Sequence, residues 1–443
     1  MSRLIEIATV KLWDHEVGVV AISDSEYAVF EYVPDFLDLG LDIAPITMPL
    51  EDARRGDAIY SFPALSRETY KGLPGLLADS LPDKFGQEII NAWLARLGRG
   101  PETFSVIERL CYTGTRGMGA LEYEPSIKDE LNTPVKVDIE KMLELVQDVM
   151  QQRSNLSTRI SSSDDKNNHE AMIDILRIGT SAGGARAKAL IAYNEQTGEV
   201  MSGQANAPKG FDHWLLKFDG VTDIELGKTQ YFGRIEYAYY KMARAAGIDI
   251  AESRLLEENG RAHFMTRRFD RMHGEKTHMQ TLCAMAHYDF NMPGAYSYEQ
   301  ALMIMRKLKL PKSDQARLYK RMVFNIVSRN HDDHTKNITF LMDKNGHWSL
   351  APAYDVTHAY APRGGWTQTH QMTVNGKRDA FTKEDLLAVA SAGSINNPEK
   401  IIQEVLDVVS KWPTFAKEAG LPERHTTIVS KDHRLFGKWV RAR

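Results

Sequence analysis

The chain has 443 residues, with 55 Lys and Arg against 59 Asp and Glu and a formal net charge of −4. That length calls for two or three domains around a sizeable core, and the charge excludes a whole-chain basic field for nucleic acid. Two distant cysteines, Cys111 and Cys283, make neither a disulfide framework nor a zinc site, and no stretch approaches the roughly eighteen apolar residues of a membrane span.

Met1 to Glu6 has no apolar core of signal-peptide length, so a cytoplasmic protein is expected. Leu4–Val10, Val17–Ile22 and Tyr27–Tyr32 alternate and are β-rich, which predicts a small antiparallel sheet. Pro34, Pro45, Pro49 and Pro63 then mark a loop-rich crossing. Leu73 to Asp83 leads into a helix predicted over Lys84–Leu97, and Met142, Leu143, Val146 and Met150 space out another. Arg153 to Glu170, rich in Ser, Asn and Asp, reads as a surface loop.

The run Gly179-Thr180-Ser181-Ala182-Gly183-Gly184-Ala185-Arg186-Ala187-Lys188 follows, and opens a strand, Ala189–Tyr193. Small residues let successive N–H groups cradle a phosphate, though the run also reads as a plain hairpin turn. It has neither Walker A order nor the strand-then-helix setting of the dinucleotide fingerprint. The next strand, His213–Asp219, carries Lys217, which is either a phosphate-holding lysine or one snorkelling from an edge strand. Glu236 sits in the first turn of a helix predicted over Arg234–Ala246, where it pairs a strand lysine or is simply solvated.

Asn259-Gly260 between Arg254–Glu258 and Ala262–Phe269 predicts a hairpin. Helices dominate from residue 278 onward: Ser297–Leu308, Ser313–Arg329, Lys383–Ala392 with a Thr382/Asp385 capping box, and Pro398–Trp412. Strands before residue 270 and helices after it predict two lobes.

Within the helical part, Leu318, Met322 and Ile326 form one apolar face that runs into Asn330-His331-Asp332-Asp333-His334-Thr335-Lys336-Asn337. So polar a knot between apolar runs is solvated or at work. In protein kinases an Asp accepts the proton of the attacked hydroxyl, and an Asn five residues on holds Mg²⁺. Asp332 and Asn337 have that spacing, and Asp355, beyond a hairpin turning at Asp343–Gly346, stands where a second metal ligand belongs.

In this order of motifs the chain resembles the HipA family, the serine/threonine-kinase toxins of bacterial HipBA toxin–antitoxin modules. The resemblance spans nearly the whole chain. It is carried by Asn330–Asn337, Ala351-Pro352-Ala353-Tyr354-Asp355-Val356, Arg268-Phe269-Asp270-Arg271, Ser181–Lys188 and Leu73–Asp83. It implies an α+β, two-lobed, protein-kinase-like fold: an N-terminal subdomain at 1–125, a β-rich kinase lobe at 126–270, and a helical lobe at 271–443. It implies ATP and Mg²⁺ as cofactors, with Asp332 as base and Asn337 and Asp355 as metal ligands. His334 and Lys336 would lie at the phosphates and Lys217 on the α/β-phosphates. Gly183, Gly184, Ala185, Arg186, Ala187 and Lys188 would form the phosphate loop. Backbone from Arg267 through Arg268 to Phe269 would meet adenine, with Tyr354 also at the nucleotide. Ser181, or its neighbour Thr180, would be autophosphorylated.

Two residues depart from the family's pattern. Arg267 stands where Glu is common, and Ala187 where Pro or Glu is. The resemblance further implies a helix-turn-helix antitoxin of the HipB type, an aminoacyl-tRNA synthetase as substrate, DNA contact at most through the antitoxin complex, and no membrane. The rival readings are an inactive kinase fold serving as a binding module or co-repressor, and a metal-dependent phosphohydrolase built on His331–His334. The basic tail from Arg424 to Arg443 reads as a solvated face or a phosphate contact.

Overall fold

The computed structural model describes residues 5–23, 27–96, 98–127, 129–151, 186–204, 206–223, 227–228, 231–272 and 274–435. Contacts divide the chain into two compact units. The first comprises Met1–Ile43, Met48–Gln230 and Leu256–Met279; the second comprises Ala44–Thr47, Tyr231–Leu255 and Gln280–Arg443.

The first unit holds one five-stranded antiparallel sheet and, apart from residues 253–255, a second five-stranded sheet. One is ordered Ile59–Tyr60, Ala28–Tyr32, His15–Ile22, Ile7–Leu12, Leu121–Glu124. The three predicted N-terminal strands are all in it. Alternation works as expected: Val10, Leu12, Val20, Phe30 and Tyr32 are buried. The proline-marked crossing is more ordered than its sequence suggested, because a proline can begin a helix. Pro34 opens the helix Pro34–Leu39, and Pro49 caps Leu50–Arg54.

The other sheet is ordered Ser253–Glu258, Arg261–Arg267, Asp212–Lys217, Lys188–Tyr193, Val200–Ser202. Asn259 and Gly260, at φ 48 and 76, make the expected tight turn. Helices Lys84–Arg96 and Ile139–Gln151 supply Trp93, Leu94, Met142 and Leu143 to one core with Ala189, Ile191, Trp214 and Leu216 of this sheet.

A buried ion triad lies in the same unit. The Arg268 guanidinium grips Asp270 through two contacts, Nε to Oδ1 at 3.0 Å and a terminal nitrogen to Oδ2 at 2.7 Å. Arg271 reaches Oδ2 at 3.0 Å, and the Gly119 N–H donates to it at 2.7 Å. Both arginines also donate to the Gly117 carbonyl. Burial alone would push the Asp270 carboxyl up, but Arg268 and Arg271 hold it well below the usual carboxylate range. Removing one member leaves buried charge unpaired, so Asp270→Asn is expected to lower the unfolding free energy by about 3–5 kcal/mol in urea titration.

The second unit is mainly helical. Phe232–Ala245, Tyr298–Lys307, Lys312–Ser328, Lys383–Gly393, Pro398–Val409 and Trp412–Glu418 share one core. Leu318, Met322, Val323, Ile326 and Val327 are buried, the face that the spacing predicted. The Thr382/Asp385 capping box is present. The helix expected over 398–412 forms as Pro398–Val409, and Trp412 instead opens the next helix, Trp412–Glu418, with Pro413 in its first turn. The Asp343 turn forms as expected: its Oδ1 accepts from the Asn345 and His347 N–H groups, each at 2.9 Å.

Candidate active site

Helix Lys312–Ser328 ends because Arg329 turns left-handed, at φ 62 and ψ 39. The chain then runs straight: His331 N–H donates to the Ala359 carbonyl at 3.0 Å, and Ala359 N–H to that of Arg329 at 3.1 Å. This tether holds the start of the polar loop. Across it, Asn337 Nδ2 donates to the Asp332 carbonyl at 2.7 Å, which fixes the two ends of the Asp-x4-Asn spacing on each other.

The two adjacent aspartates have opposite fates. The Asp333 side chain is 1 % exposed and saturated: it accepts from Tyr298 OH at 2.9 Å, His370 Nδ1 at 2.9 Å and the Gln371 N–H at 2.8 Å. The Asp332 side chain is 35 % exposed. Its Oδ1 accepts from Trp366 Nε1 at 2.6 Å and lies 3.8 Å from His334 Nε2. Only Asp332 can meet an incoming hydroxyl.

His331 is buried, with Nδ1 on the Thr367 carbonyl at 3.1 Å and its ring 4.1 Å from that of His370. Burial first, then His370, Arg434 and Arg329, push its pKa down to about 2, so it is neutral. His331 Nδ1 and the Asp333 carboxylate are thus both held by protein partners. Among the described residues no group of three His, Cys, Asp or Glu side chains could hold a metal ion.

His334 and Lys336 both pack on Phe290. The two rings are 5.4 Å apart, and Lys336 Nζ is 4.6 Å from the Phe290 centroid. His334 Nδ1 is buried without a hydrogen-bond partner. The Tyr354 hydroxyl is committed to Thr339 Oγ1 at 2.6 Å and to the Lys336 carbonyl. Its expected place at the nucleotide is therefore limited to the ring. Asp355 takes a left-handed φ of 54, uncommon for a non-glycine residue and tolerated best by Asp and Asn. A small cavity brings Asn337 and Asp355 together, with Asn330, Asp333, Asn325 and Tyr298 in its lining.

Lys217 belongs to the first unit and the Asp332 loop to the second. Asp212–Lys217 is a central strand, and Lys217 is buried, so it does not snorkel from an edge. Its Nζ is 5.8 Å from the Phe264 ring centroid. Its cross-strand neighbour is Lys188, whose Nζ pairs with buried Asp83 at 3.0 Å. Arg267 pairs with Asp212 at 2.5 Å. The Arg268 N–H donates to the His213 carbonyl, and its guanidinium is locked in the triad, so only its carbonyl remains to a ligand. Glu236 is buried in the second turn of Phe232–Ala245, since that helix starts earlier than expected. Arg186, Ala187 and Lys188 are described; Thr180, Ser181, Gly183, Gly184 and Ala185 lie outside the described residues.

Among the described residues of the tail, Arg424 and Lys431 are exposed, while residues 432–434 are bound into the fold. The Arg434 N–H donates to the Val327 carbonyl at 2.8 Å, and its guanidinium pairs with Asp379. Arg329 Nε donates to the Asp432 carbonyl at 2.8 Å, and His433 meets Tyr239 OH at 3.0 Å. Residues 432–434 thus brace the end of the helix that delivers the polar loop.

A family model described as the HipA-like C-terminal domain matches residues 180–412, and one described as the HipA N-terminal domain matches 8–124. The chain belongs to the HipA family. Its fold agrees: a chain of the Shewanella oneidensis MR-1 toxin–antitoxin complex of HipA, HipB and operator DNA superposes with a TM-score of 0.65 at 17 % identity, over 96 % of this chain and 94 % of that one. Two curated relatives carry the name "Putative kinase". Y4mE of Sinorhizobium fredii is 25 % identical over 41 % of this chain and 39 % of its own length. A Haemophilus influenzae protein is 24 % identical over 45 % of this chain and 67 % of its own. Within this HipA-family fold, Trp366 is a residue the sequence left unnoticed. Gly364-Gly365 before it, both at positive φ, were the one local signal of a sharp turn there.

Proposed function

We propose that the chain is an ATP- and Mg²⁺-dependent serine/threonine protein kinase and the toxin of a type II toxin–antitoxin module. The observation that carries this reading is the sorting of the Asn330–Asn337 loop. One aspartate is buried and saturated and the other is open. The open one is clasped to an asparagine that shares a cavity with Asp355.

Asn337 and Asp355 offer hard oxygen ligands, and two protein ligands suit Mg²⁺, which takes its remaining ligands from phosphates and water. Bound there, the ion would draw charge off the phosphates. The unpartnered Nδ1 of His334 fits a phosphate oxygen. Lys217 and Lys188, opposite each other on one sheet face, suit the α/β-phosphates and the phosphate loop. Backbone of Arg267–Phe269 suits adenine. Asp332 takes the proton of a Ser or Thr hydroxyl, and the Trp366 indole keeps its carboxylate in place.

The partner is a HipB-type helix-turn-helix antitoxin, with DNA reached through that complex. An aminoacyl-tRNA synthetase as substrate, Ser181 as autophosphorylation site and a cytoplasmic location follow from the family resemblance. Among the described residues no helix is long and apolar enough to cross a membrane.

Calorimetric titration with ATP and Mg²⁺ tests the nucleotide site. Binding is expected in the wild type, and weakened tenfold or more by Lys217→Ala and by Asp355→Asn. Binding that both variants leave untouched would place the nucleotide elsewhere. Trp366→Phe keeps the ring and removes the donor to Asp332. It is expected to slow phosphoryl transfer about tenfold, the scale of one hydrogen bond to a charged group, with ATP affinity and thermal midpoint unchanged.

A further inference from the structure

Asn330 has no role in the reading above, yet its side chain is 2 % exposed and its Oδ1 is buried with no hydrogen-bond partner. It lines the same cavity as Asn337 and Asp355. A buried acceptor left unmade is rare enough to need a reason.

The direction of the side-chain amide is not free, because a chain of bonds fixes it from the far end. Asp333 is a carboxylate and accepts only, so Tyr298 OH must donate to it, at 2.9 Å. The Tyr298 oxygen then accepts from Asn325 Nδ2 at 3.1 Å. That turns Asn325 Oδ1 toward Asn330, whose Nδ2 donates to it at 3.0 Å. The last link, Asn330 Oδ1, is therefore an oxygen and not an N–H. Each step is forced by the one before it, and the result is an unpaired carbonyl oxygen on a residue that lines the cavity shared by Asn337 and Asp355. The arrangement is rigid as well: the Asn330 N–H is bonded to the Asn325 carbonyl at 2.9 Å.

Less than 1 Å² of Asn330 Oδ1 is open to water. A water needs a separation of about 2.8 Å. Mg²⁺, at about 2.0–2.1 Å from its ligands, approaches an oxygen more closely than a water does.

We infer that Asn330 is a third protein ligand, through Oδ1, for the divalent cation placed at Asn337 and Asp355, and that Tyr298 and Asn325 are positioning residues that keep this oxygen turned inward. The inference rests on the nucleotide–metal reading of the cavity. It makes the cation site tighter than the two-ligand arrangement of that reading.

The test is a titration of Mn²⁺ into the full chain saturated with ADP, followed by electron paramagnetic resonance, with no turnover involved. Asn330→Ala is expected to weaken Mn²⁺ binding about tenfold, and Asn330→Asp, which restores an oxygen, to bind within threefold of wild type. Tyr298→Phe, which cuts the chain in the middle, is expected to weaken binding by about threefold. Melting curves identify any variant that has merely unfolded, and the Asp variant then decides. Wild-type affinity in folded Asn330→Ala overturns the inference, as does equal weakening in the Ala and Asp variants, which would mark a purely structural residue. If wild type binds no Mn²⁺, or if Asn337→Ala and Asp355→Asn bind it unchanged, the reading of the cavity fails and takes the inference with it.

Discussion

Asp332→Asn is expected to fold, to bind ATP with near wild-type affinity, and to transfer phosphate about 10²–10⁴-fold more slowly, the usual contribution of a positioned general base. The substitution is nearly isosteric at a side chain that is 35 % exposed, so packing is not at stake. The loop holds Asp332 by its backbone: its carbonyl accepts from Asn337 Nδ2, and its neighbour His331 is tied to Ala359. Both contacts survive the change. Trp366 Nε1 can still donate to the amide oxygen that replaces Oδ1. What disappears is an oxygen able to take a proton. Rates of labelled-phosphate transfer by the two proteins at equal ATP saturation check this. Asp333→Asn should behave in the opposite way. It puts an NH₂ group where Oδ2 accepts from Tyr298 and His370 in the interior, so loss of stability is its main effect. A fall in transfer by Asp332→Asn no larger than the scatter among surface variants would remove Asp332 from the chemistry.

The protein is also expected to lose its stability steeply between pH 6.5 and 4. Four buried histidines are responsible. Burial is the largest cause in each, and it pushes His213, His263 and His278 down to about 4 and His331 to about 2. Unfolded, each imidazole takes a proton near its ordinary value of about 6.5. Folded, it does so only at far lower pH. In the interval the unfolded chain binds more protons, so stability is intact above pH 6.5 and falls as pH drops toward 4. All four depressions act in the same direction, so each adds to the loss as pH falls through this window. Asp270 does not add to this window, since its pKa is held low and its contribution is lost only in stronger acid. Urea midpoints measured at pH 7, 6, 5 and 4.5 should fall throughout the series. Midpoints that stay level down to pH 4.5 would show that these histidines are protonated in the folded state without cost.

The elements that the sequence made legible are those set by local rules. Apolar spacing along Leu318–Val327, the Asn259-Gly260 turn and the Thr382/Asp385 cap each act within a few residues, and each is present. The Asp332–Asn337 spacing was readable for the same reason, since the two residues bond to each other across one loop. What escaped depends on partners far along the chain. Nothing in Asp332-Asp333 says which is buried; that is decided by Tyr298 from one side and His370 from the other. Trp366 touches Asp332 from 34 residues away, and Asp83 meets Lys188 from 105 away. Arg434 read as part of a basic run because single charges do not reveal that Asp379 will hold it.

The central claim is that this chain moves the γ-phosphoryl of ATP onto a protein hydroxyl, with Asp332 taking the proton. Incubation of the purified chain with γ-labelled ATP and Mg²⁺, followed by mapping of the labelled peptide, addresses it most directly. The account expects label on a serine or threonine of the 179–188 run, Ser181 or Thr180, in the wild type and none in Asp332→Asn. Protein that stays unlabelled while ATP is bound, or Asp332→Asn labelled as fast as wild type, would contradict it.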